Sequence, residues 1–244
     1  MTRNTEPHLI FDHVCIQYPI YNARSMSLRN QLVRLGTGGN IEQESGSIQV
    51  VTALKNASFT LKKGDRVGLV GHNGAGKSTL LRAMAGIYAP VSGQIKRQGS
   101  VATVLELGAA MDVELSGYEN IKRMSILMGM SPAQIENTIP EIEAFTELGD
   151  FLHLPVRTYS AGMSTRLVFA VATSTNPDIL LVDEVFGTGD ASFQNKARAR
   201  MTQLIESVGI FVFASHDRGT MKQYCQRIFR LNHGELTEIS IDEI

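Results

Sequence analysis

A glycine-rich loop with one lysine and two hydroxyl residues is the clearest candidate for chemistry in this sequence. It matches the pattern G-x-x-x-x-G-K-[ST] and consists of Gly71, His72, Asn73, Gly74, Ala75, Gly76, Lys77, Ser78 and Thr79. Glycines let backbone N–H groups curve around a phosphate without a Cβ clash. We therefore predict that Lys77 contacts the β- and γ-phosphates of a nucleotide and that the Ser78 hydroxyl binds Mg²⁺.

The residues on the two sides of this loop predict a strand before it and a helix after it, which is the setting that a phosphate loop requires. The apolar run 67–70 predicts a buried strand, and residues 80–85 predict a helix that ends at Gly86. The N-terminus of such a helix carries a partial positive charge, which would face the bound anion. The alternative is a glycine-rich turn without a ligand, and the flanking strand and helix disfavour it.

Two further apolar runs end in polar residues where the strands of an α/β sheet bind ligands. Residues 179–182 predict a buried parallel strand that is followed by Asp183 and Glu184. Residues 210–214 predict another, and His216 follows it. We predict that Asp183 supports Mg²⁺, that Glu184 acts as general base on the attacking water, and that His216 donates to a γ-phosphate oxygen. The alternatives are solvated acids at a strand end and a surface or core histidine.

A pentapeptide of sequence YSAGM at residues 159–163 connects these motifs to a protein family. Together with the loop, the acidic pair and His216, it resembles the ATP-binding cassette of ABC transporters, whose signature motif is usually written LSGGQ. The motif order matches from residue 9 to about residue 238. The resemblance implies one α/β domain over residues 1–244, a P-loop NTPase with a RecA-like core, an antiparallel β subdomain and an inserted helical subdomain at about 112–174. It also implies ATP and Mg²⁺ as cofactors.

The resemblance further implies that two copies of the chain act together. In such cassettes the copies pack head to tail, and each ATP lies between the phosphate loop of one copy and the signature helix of the other. The nucleotide-binding residues of this second half-site would be Ser160, Ala161, Gly162 and Met163. A helix N-terminus at this place suits a γ-phosphate. The alternative is a serine-capped helix with no ligand.

A narrower resemblance rests on YSAGM and on residues 105–109 and 184–190. These segments look like the ATPase subunits of polysaccharide exporters, which move O-antigen, capsule or teichoic-acid chains on lipid carriers. The resemblance implies an ATP-hydrolysing subunit at the cytoplasmic face of the cell membrane. Its partner would be a dimer of a separate membrane-spanning permease, and this permease would handle the lipid-linked glycan.

Two further residues receive a role from the resemblance. Glu106 stands at about the place of a glutamine that contacts Mg²⁺ and the attacking water in most cassettes, so we expect Glu106 to contact the metal. Tyr18 follows the alternating strand 10–16 and stands where cassettes stack adenine on an aromatic ring, which needs only a π-face. A tyrosine that packs on the core is the alternative at this position, and Tyr21 is the second choice for stacking.

Composition limits the function classes that remain. The net charge of −1 and the pI of about 6.6 provide no basic field for nucleic acid, so we expect no nucleic-acid partner. No apolar run approaches the roughly 20 residues that span a bilayer, so if the protein acts at a membrane, a partner must supply the membrane part. Three rival functions stay open: a soluble ABC-type ATPase acting on DNA or ribosomes, a P-loop kinase or unrelated NTPase, and an ABC exporter of drugs or other lipids.

The predicted helical insert contains two capping boxes and one proline. Ser116 with Glu119 and Ser131 with Gln134 have the spacing of capping boxes, in which each serine begins a helix. Pro140 lies inside the second of these helices, and we expect it to break or kink that helix because proline lacks the N–H of a helical hydrogen bond.

Overall fold

The computed structural model of this chain describes residues 6–20, 49–104, 110–183 and 191–244. Within these ranges the chain forms nine strands and six helices. The strands are β1 (His8–Ile20), β2 (Gln49–Lys62), β3 (Arg66–Val70), β4 (Ser92–Gln98), β5 (Val101–Val104), β6 (Ile179–Asp183), β7 (Ile210–Ala214), β8 (Arg227–Asn232) and β9 (Glu235–Ile239). The helices are α1 (Lys77–Ala85), α2 (Gly117–Leu127), α3 (Pro132–Thr146), α4 (Ala161–Ala172), α5 (Ala191–Ser207) and α6 (Arg218–Tyr224). Short 3₁₀ segments are Gly149–His153, Val156–Thr158 and Ile241–Glu243.

The strands form two sheets. The larger has the order β5-β6-β7-β3-β8-β9, in which β5 to β8 pair in parallel and β9 is antiparallel. Strand β7 and all of β6 except its last residue are buried, because the sheet is covered on both faces. The smaller sheet is antiparallel with the order β2-β1-β4. This arrangement confirms the predicted α/β fold with a separate antiparallel sheet.

Three helices, α2 to α4, occupy the region between β5 and β6. Both predicted capping boxes are formed: Ser116 Oγ accepts from the N–H of Glu119, and Ser131 Oγ accepts from the N–H of Gln134. Pro140 does not break α3, which continues to Thr146, so a break at this proline is wrong. Pro140 is exposed, and water can satisfy the carbonyl that its ring leaves unpaired. Among the described residues, no helix is both long enough and apolar enough to cross a membrane.

Three aromatic rings pack against one another and join α3, α4 and α5: those of Phe145, Phe169 and Phe193. The ring centroids of the three pairs are 5.9, 5.5 and 6.1 Å apart. The Arg200 guanidinium of α5 lies 4.6 Å from the centre of the Phe145 ring. Its Nε donates to Thr173 Oγ1 at 2.8 Å, and its Nη2 lies 2.6 Å from Glu141 Oε1. One arginine therefore bonds α5 both to α3 and to the end of α4.

Replacement of Arg200 by alanine is expected to lower the free energy of unfolding by about 2 kcal/mol, because the Thr173 carbonyl and the Glu141 carboxylate lose a largely buried partner. Only 16% of the Arg200 side chain is exposed. Urea denaturation followed by circular dichroism measures the change. Arg198→Ala, on an exposed position of the same helix, is the matched control and should change the value by less than about 0.5 kcal/mol. Equal losses for the two variants would contradict this role for Arg200.

Candidate nucleotide-binding site

The glycine-rich loop runs from the end of β3 to the start of α1. Gly74 and Gly76 have φ values of +82° and +110°, which glycine adopts without strain. Gly76 also has no room for a side chain, because a Cβ would lie 2.5 Å from the Ala53 carbonyl oxygen of β2. It is the N-cap of α1 and supplies no side-chain acceptor. The first N–H groups of this helix are therefore available to an anion.

A cavity of about 860 Å³ opens above this loop, which is the size of a small-molecule site. It gathers residues that are far apart in the sequence. Its lining consists of Tyr18, Val51, Thr52, Ala53, Lys55, Asn73, Gly74, Ala75, Gly76, Lys77, Ser78, Thr79, Asp183, His216, His233 and Gly234. The structure thus brings together the predicted loop, Asp183, His216 and Tyr18. Gly71 and His72, the first two residues of the loop, line a second cavity of about 400 Å³ instead.

The Lys77 ammonium lies over the carbonyl groups of the loop that carries it. Its Nζ donates to Gly71 O at 2.6 Å and to His72 O at 3.3 Å. His216 Nε2 lies 3.5 Å from the same nitrogen. The positive charge therefore sits inside the curve of the loop, where it can meet the phosphates that the backbone N–H groups bind.

Ser78 and Asp183 meet at the edge where α1 begins and β6 ends. The Ser78 hydroxyl donates to Asp183 Oδ2 at 2.8 Å. A hydroxyl and a carboxylate oxygen at this distance are suitable ligands for Mg²⁺, which prefers a few protein oxygens completed by phosphate oxygens and water. No cluster of three or more metal-ligating side chains occurs in the described part of the chain.

His216 lies exposed between β7 and α6, at the mouth of the cavity. Its Nε2 lies 3.2 Å from the Asn73 side-chain oxygen, so the imidazole can contact the loop from the opposite side. The next residue, Asp217, caps α6 by accepting from the N–H groups of Gly219 and Thr220. Hydrogen bonds from the Thr220 hydroxyl and from these N–H groups lower the pKa of Asp217. This cap, which the sequence analysis missed although aspartate is a common N-cap residue, orients the chain directly after His216.

Tyr18 forms a side wall of the cavity, at the end of β1. Its hydroxyl donates to Thr79 Oγ1 at 3.2 Å, and burial is the main cause of the raised pKa of this phenol. The Tyr88 ring meets it edge to face with a centroid distance of 5.4 Å. Tyr88 was not expected from the sequence, because it belongs to no motif and follows α1 in an irregular segment. Tyr21, the second choice for stacking, lies outside the described residues.

Another part of the cavity lining comes from elements that no motif identified. Lys55 of β2 and His233 of the turn between β8 and β9 both line the cavity. They meet because the N–H of Lys55 donates to Gly234 O at 2.8 Å. The His233 ring also lies 5.0 Å from the His72 ring of the loop. This part of the lining depends on a contact between the two sheets, which local sequence patterns do not reveal.

The pentapeptide does not contribute to this cavity. Ser160 is the N-cap of α4, and its Oγ accepts from the N–H of Met163 at 3.2 Å. Ser160 and Ala161 are exposed. None of residues 160–163 is among the described residues that line the cavity. The helix N-terminus that they form thus begins with exposed residues and lies outside the cavity that the chain's own phosphate loop lines.

Two predicted site residues fall in segments that the structure does not describe. Glu184 belongs to residues 184–190, and Glu106 belongs to residues 105–109. The general-base role of Glu184 and the metal contact of Glu106 therefore stay predictions. The described neighbour of Glu184 is Asp183, whose carboxylate lies at the cavity.

Comparisons with known proteins agree with this geometry. The model of the family described as "ABC transporter" matches residues 54–187. The O-antigen export system ATP-binding protein RfbE of Yersinia enterocolitica is 65% identical over 96% of this chain and 98% of its own length. The O-antigen export system ATP-binding protein RfbB of Myxococcus xanthus is 41% identical over 82% of this chain, which spans 45% of that longer protein.

Solved structures show the same fold. A dimeric post-hydrolysis state of the ATP-binding cassette MJ0796, bound to ADP and Pi, superimposes with a TM-score of 0.69. The match covers 96% of this chain and 98% of that chain at 20% identity. At this identity the likeness establishes the fold alone, and it confirms the predicted cassette architecture.

Proposed function

This chain belongs to the ABC transporter family, and on that premise we propose that it is the ATP-hydrolysing subunit of a polysaccharide exporter. The convergence of Lys77, Ser78 and Asp183 in one cavity is the observation that carries the hydrolytic part of this proposal. The O-antigen export proteins among its relatives support the choice of substrate class.

The residues of the cavity have separate tasks in hydrolysis. The loop N–H groups and Lys77 bind the phosphates of ATP, and Ser78 and Asp183 hold Mg²⁺. The metal supplies charge neutralisation on the phosphate oxygens. Glu184 accepts a proton from the water that attacks the γ-phosphorus, and the bond to the β-phosphate oxygen breaks to leave ADP. His216 holds a γ-phosphate oxygen, and Tyr18 stacks on adenine.

The exposed pentapeptide supports a nucleotide site that is shared between two copies of the chain. Because residues 160–163 lie outside the cavity, one chain holds only half of each hydrolytic site. A second copy, packed head to tail, presents its Ser160 and the N–H groups of α4 to the γ-phosphate. Closure of the pair on ATP and its reopening after hydrolysis drive a separate membrane permease, which handles the lipid-linked glycan. The chain acts as a peripheral subunit at the cytoplasmic face of the membrane.

Light scattering of purified Glu184→Gln protein, with and without ATP and Mg²⁺, tests the paired site. Without the base, ATP should persist and hold two copies together, so we expect a monomer that becomes a dimer only with ATP. Glu206→Gln, on an exposed position of α5, is the matched control and should hydrolyse its ATP and not accumulate as a dimer. A Glu184→Gln protein that binds ATP and remains monomeric, alone and with its permease, would contradict the sandwich.

Export is tested separately, in cells from which the gene for this chain has been removed. Surface polysaccharide, followed on stained gels, should be lost and should return with the wild-type gene but not with a Lys77→Ala gene. Unchanged surface polysaccharide would favour an exporter of another substrate and would leave the ATPase assignment intact.

A further inference from the structure

Tyr159, the residue directly before Ser160, is tied to two other parts of the helical region. Its hydroxyl donates to the Phe151 carbonyl oxygen at 2.7 Å, in the 3₁₀ segment Gly149–His153. Its own N–H donates to Val156 O at 2.9 Å. Burial raises the pKa of the Tyr159 phenol, so the hydroxyl keeps its proton and remains a donor.

The hydroxyl end of Tyr159 fits closely against the first residue of α2. A Cβ at Gly117 would collide with the Tyr159 hydroxyl oxygen and would lie 2.9 Å from Leu152 Cδ2. Gly117 does not have a positive φ, so space and not backbone conformation favours glycine there. The phenol is therefore confined between the start of α2 and the 3₁₀ segment.

The chain that leads to Tyr159 is also fixed to the residues before α2. Pro155 forms a bridge with Ser116, and the N–H of Val156 donates to Leu115 O at 2.9 Å. The N–H of Arg157 donates to Val113 O at 2.8 Å. Three consecutive residues, 155–157, are thus fixed to the residues before α2, and Tyr159 follows two positions later.

The hydrogen bond of the Tyr159 hydroxyl substitutes for the hydrophobic staple, a contact that often fixes the chain at the start of a helix. A hydrophobic staple would join the residue before the N-cap, Tyr159, to the fourth helical residue. That fourth residue is Ser164, which is polar and cannot form the apolar contact. The direction in which the chain enters α4 is therefore set by the Tyr159 hydroxyl, together with the Ser160 cap.

We propose that Tyr159 is a positioning residue, which holds Ser160 and the N-terminus of α4 in the orientation that the second copy's nucleotide requires. The inference rests on the proposed sandwich, because only that assembly brings a ligand to the exposed Ser160. Without the hydroxyl, the fraction of chains with a correctly directed α4 falls, and the apparent affinity between copies falls by that factor at each of the two half-sites.

Tyr159→Phe in the Glu184→Gln background tests this role. We expect the dimer dissociation constant with ATP to rise about fivefold for each half-site, or about 25-fold for the symmetric pair. The affinity of the dilute monomer for a fluorescent ATP analogue should change by less than about twofold, because Tyr159 does not line the cavity. Gly117→Ala should likewise weaken dimerisation and leave the monomer's affinity for nucleotide nearly unchanged, since its Cβ displaces the Tyr159 hydroxyl.

Tyr224→Phe is the matched control. It also removes a tyrosine hydroxyl that forms a hydrogen bond, at 2.9 Å to Thr202 Oγ1, and should leave dimerisation unchanged. A Tyr159→Phe protein that dimerises like its parent, or that loses monomer affinity for ATP as strongly as dimer affinity, would overturn the positioning role alone. A parent that stays monomeric with ATP contradicts the sandwich, and this role with it.

Discussion

Alanine in place of Lys77 is expected to lower ATP hydrolysis by about 10³-fold. The Lys77 ammonium lies within the curve of the phosphate loop, 2.6 Å from Gly71 O. Its loss removes charge-assisted hydrogen bonds from the phosphates, both in the bound nucleotide and at the moment of transfer. Phosphate release from purified protein measures the rate, and titration with a fluorescent nucleotide measures the accompanying loss of affinity.

Lys222→Ala provides the comparison for Lys77→Ala. Lys222 is an exposed lysine of α6 that pairs with Asp242 at 3.7 Å, and its removal should leave hydrolysis unchanged. Retention of more than about a tenth of the wild-type rate by Lys77→Ala would contradict the central role of this ammonium. Lys55, which also lines the cavity, would then be the group to examine next.

Arginine in place of Ser160 is expected to lower hydrolysis by a similar order, about 10²- to 10³-fold, with affinity for ATP retained. Ser160 is exposed and lies outside the chain's own cavity, so a change there leaves the phosphate loop intact. A long cationic side chain at this N-cap blocks the approach of α4 to the nucleotide of a second copy, and it also removes the cap itself. Phosphate release measures the loss of hydrolysis, and nucleotide titration measures whether affinity for ATP is retained.

The cost of the lost cap is measured on a second helix. Ser131 caps α3 and is also exposed, so Ser131→Arg loses a cap without altering the proposed half-site. Each variant should lose about 1 kcal/mol of stability, whereas only Ser160→Arg should lose activity. Equal activity in the two variants would favour a P-loop enzyme that makes no use of the pentapeptide.

A mixture of the Lys77→Ala and Ser160→Arg proteins should regain hydrolysis that neither has alone. In a mixed pair, the loop of one chain and the pentapeptide of the other are both intact at one of the two sites. With random pairing, half of the pairs are mixed, which predicts about a quarter of the wild-type rate. A mixture as inactive as its components would contradict the head-to-tail arrangement.

The sequence was most informative where function depends on local backbone geometry. The loop requires glycine at Gly74 and Gly76 because both have positive φ values, and Gly76 also lies close to the Ala53 carbonyl. These local requirements fix the spacing of the glycines, so the motif can be recognised in the sequence. The same holds for Asp183 and His216, because parallel strands of one sheet end at one edge. Their meeting in a cavity therefore follows from short motifs and a general rule of sheet topology.

The remaining lining residues depend on contacts between distant segments. Lys55 and His233 line the cavity together because the antiparallel sheet packs beside the larger one, and no periodic pattern encodes that packing. Pro140 shows a related limit. Its local preference against a helix was overcome by the packing of Ile135 and Ile142, which are buried on either side of it in α3.

The contacts between the two sheets also affect the thermal unfolding of the protein. The Lys55 N–H bonded to Gly234 O and the Arg227 guanidinium bonded to Thr60 O link the antiparallel sheet to the larger one. The close approach of Gly76 to Ala53 links it to the phosphate loop. Loss of the smaller sheet would remove one wall of the cavity and the support of the loop. We therefore expect the two sheets to unfold cooperatively, and a nucleotide that binds between them to raise the melting temperature of both together.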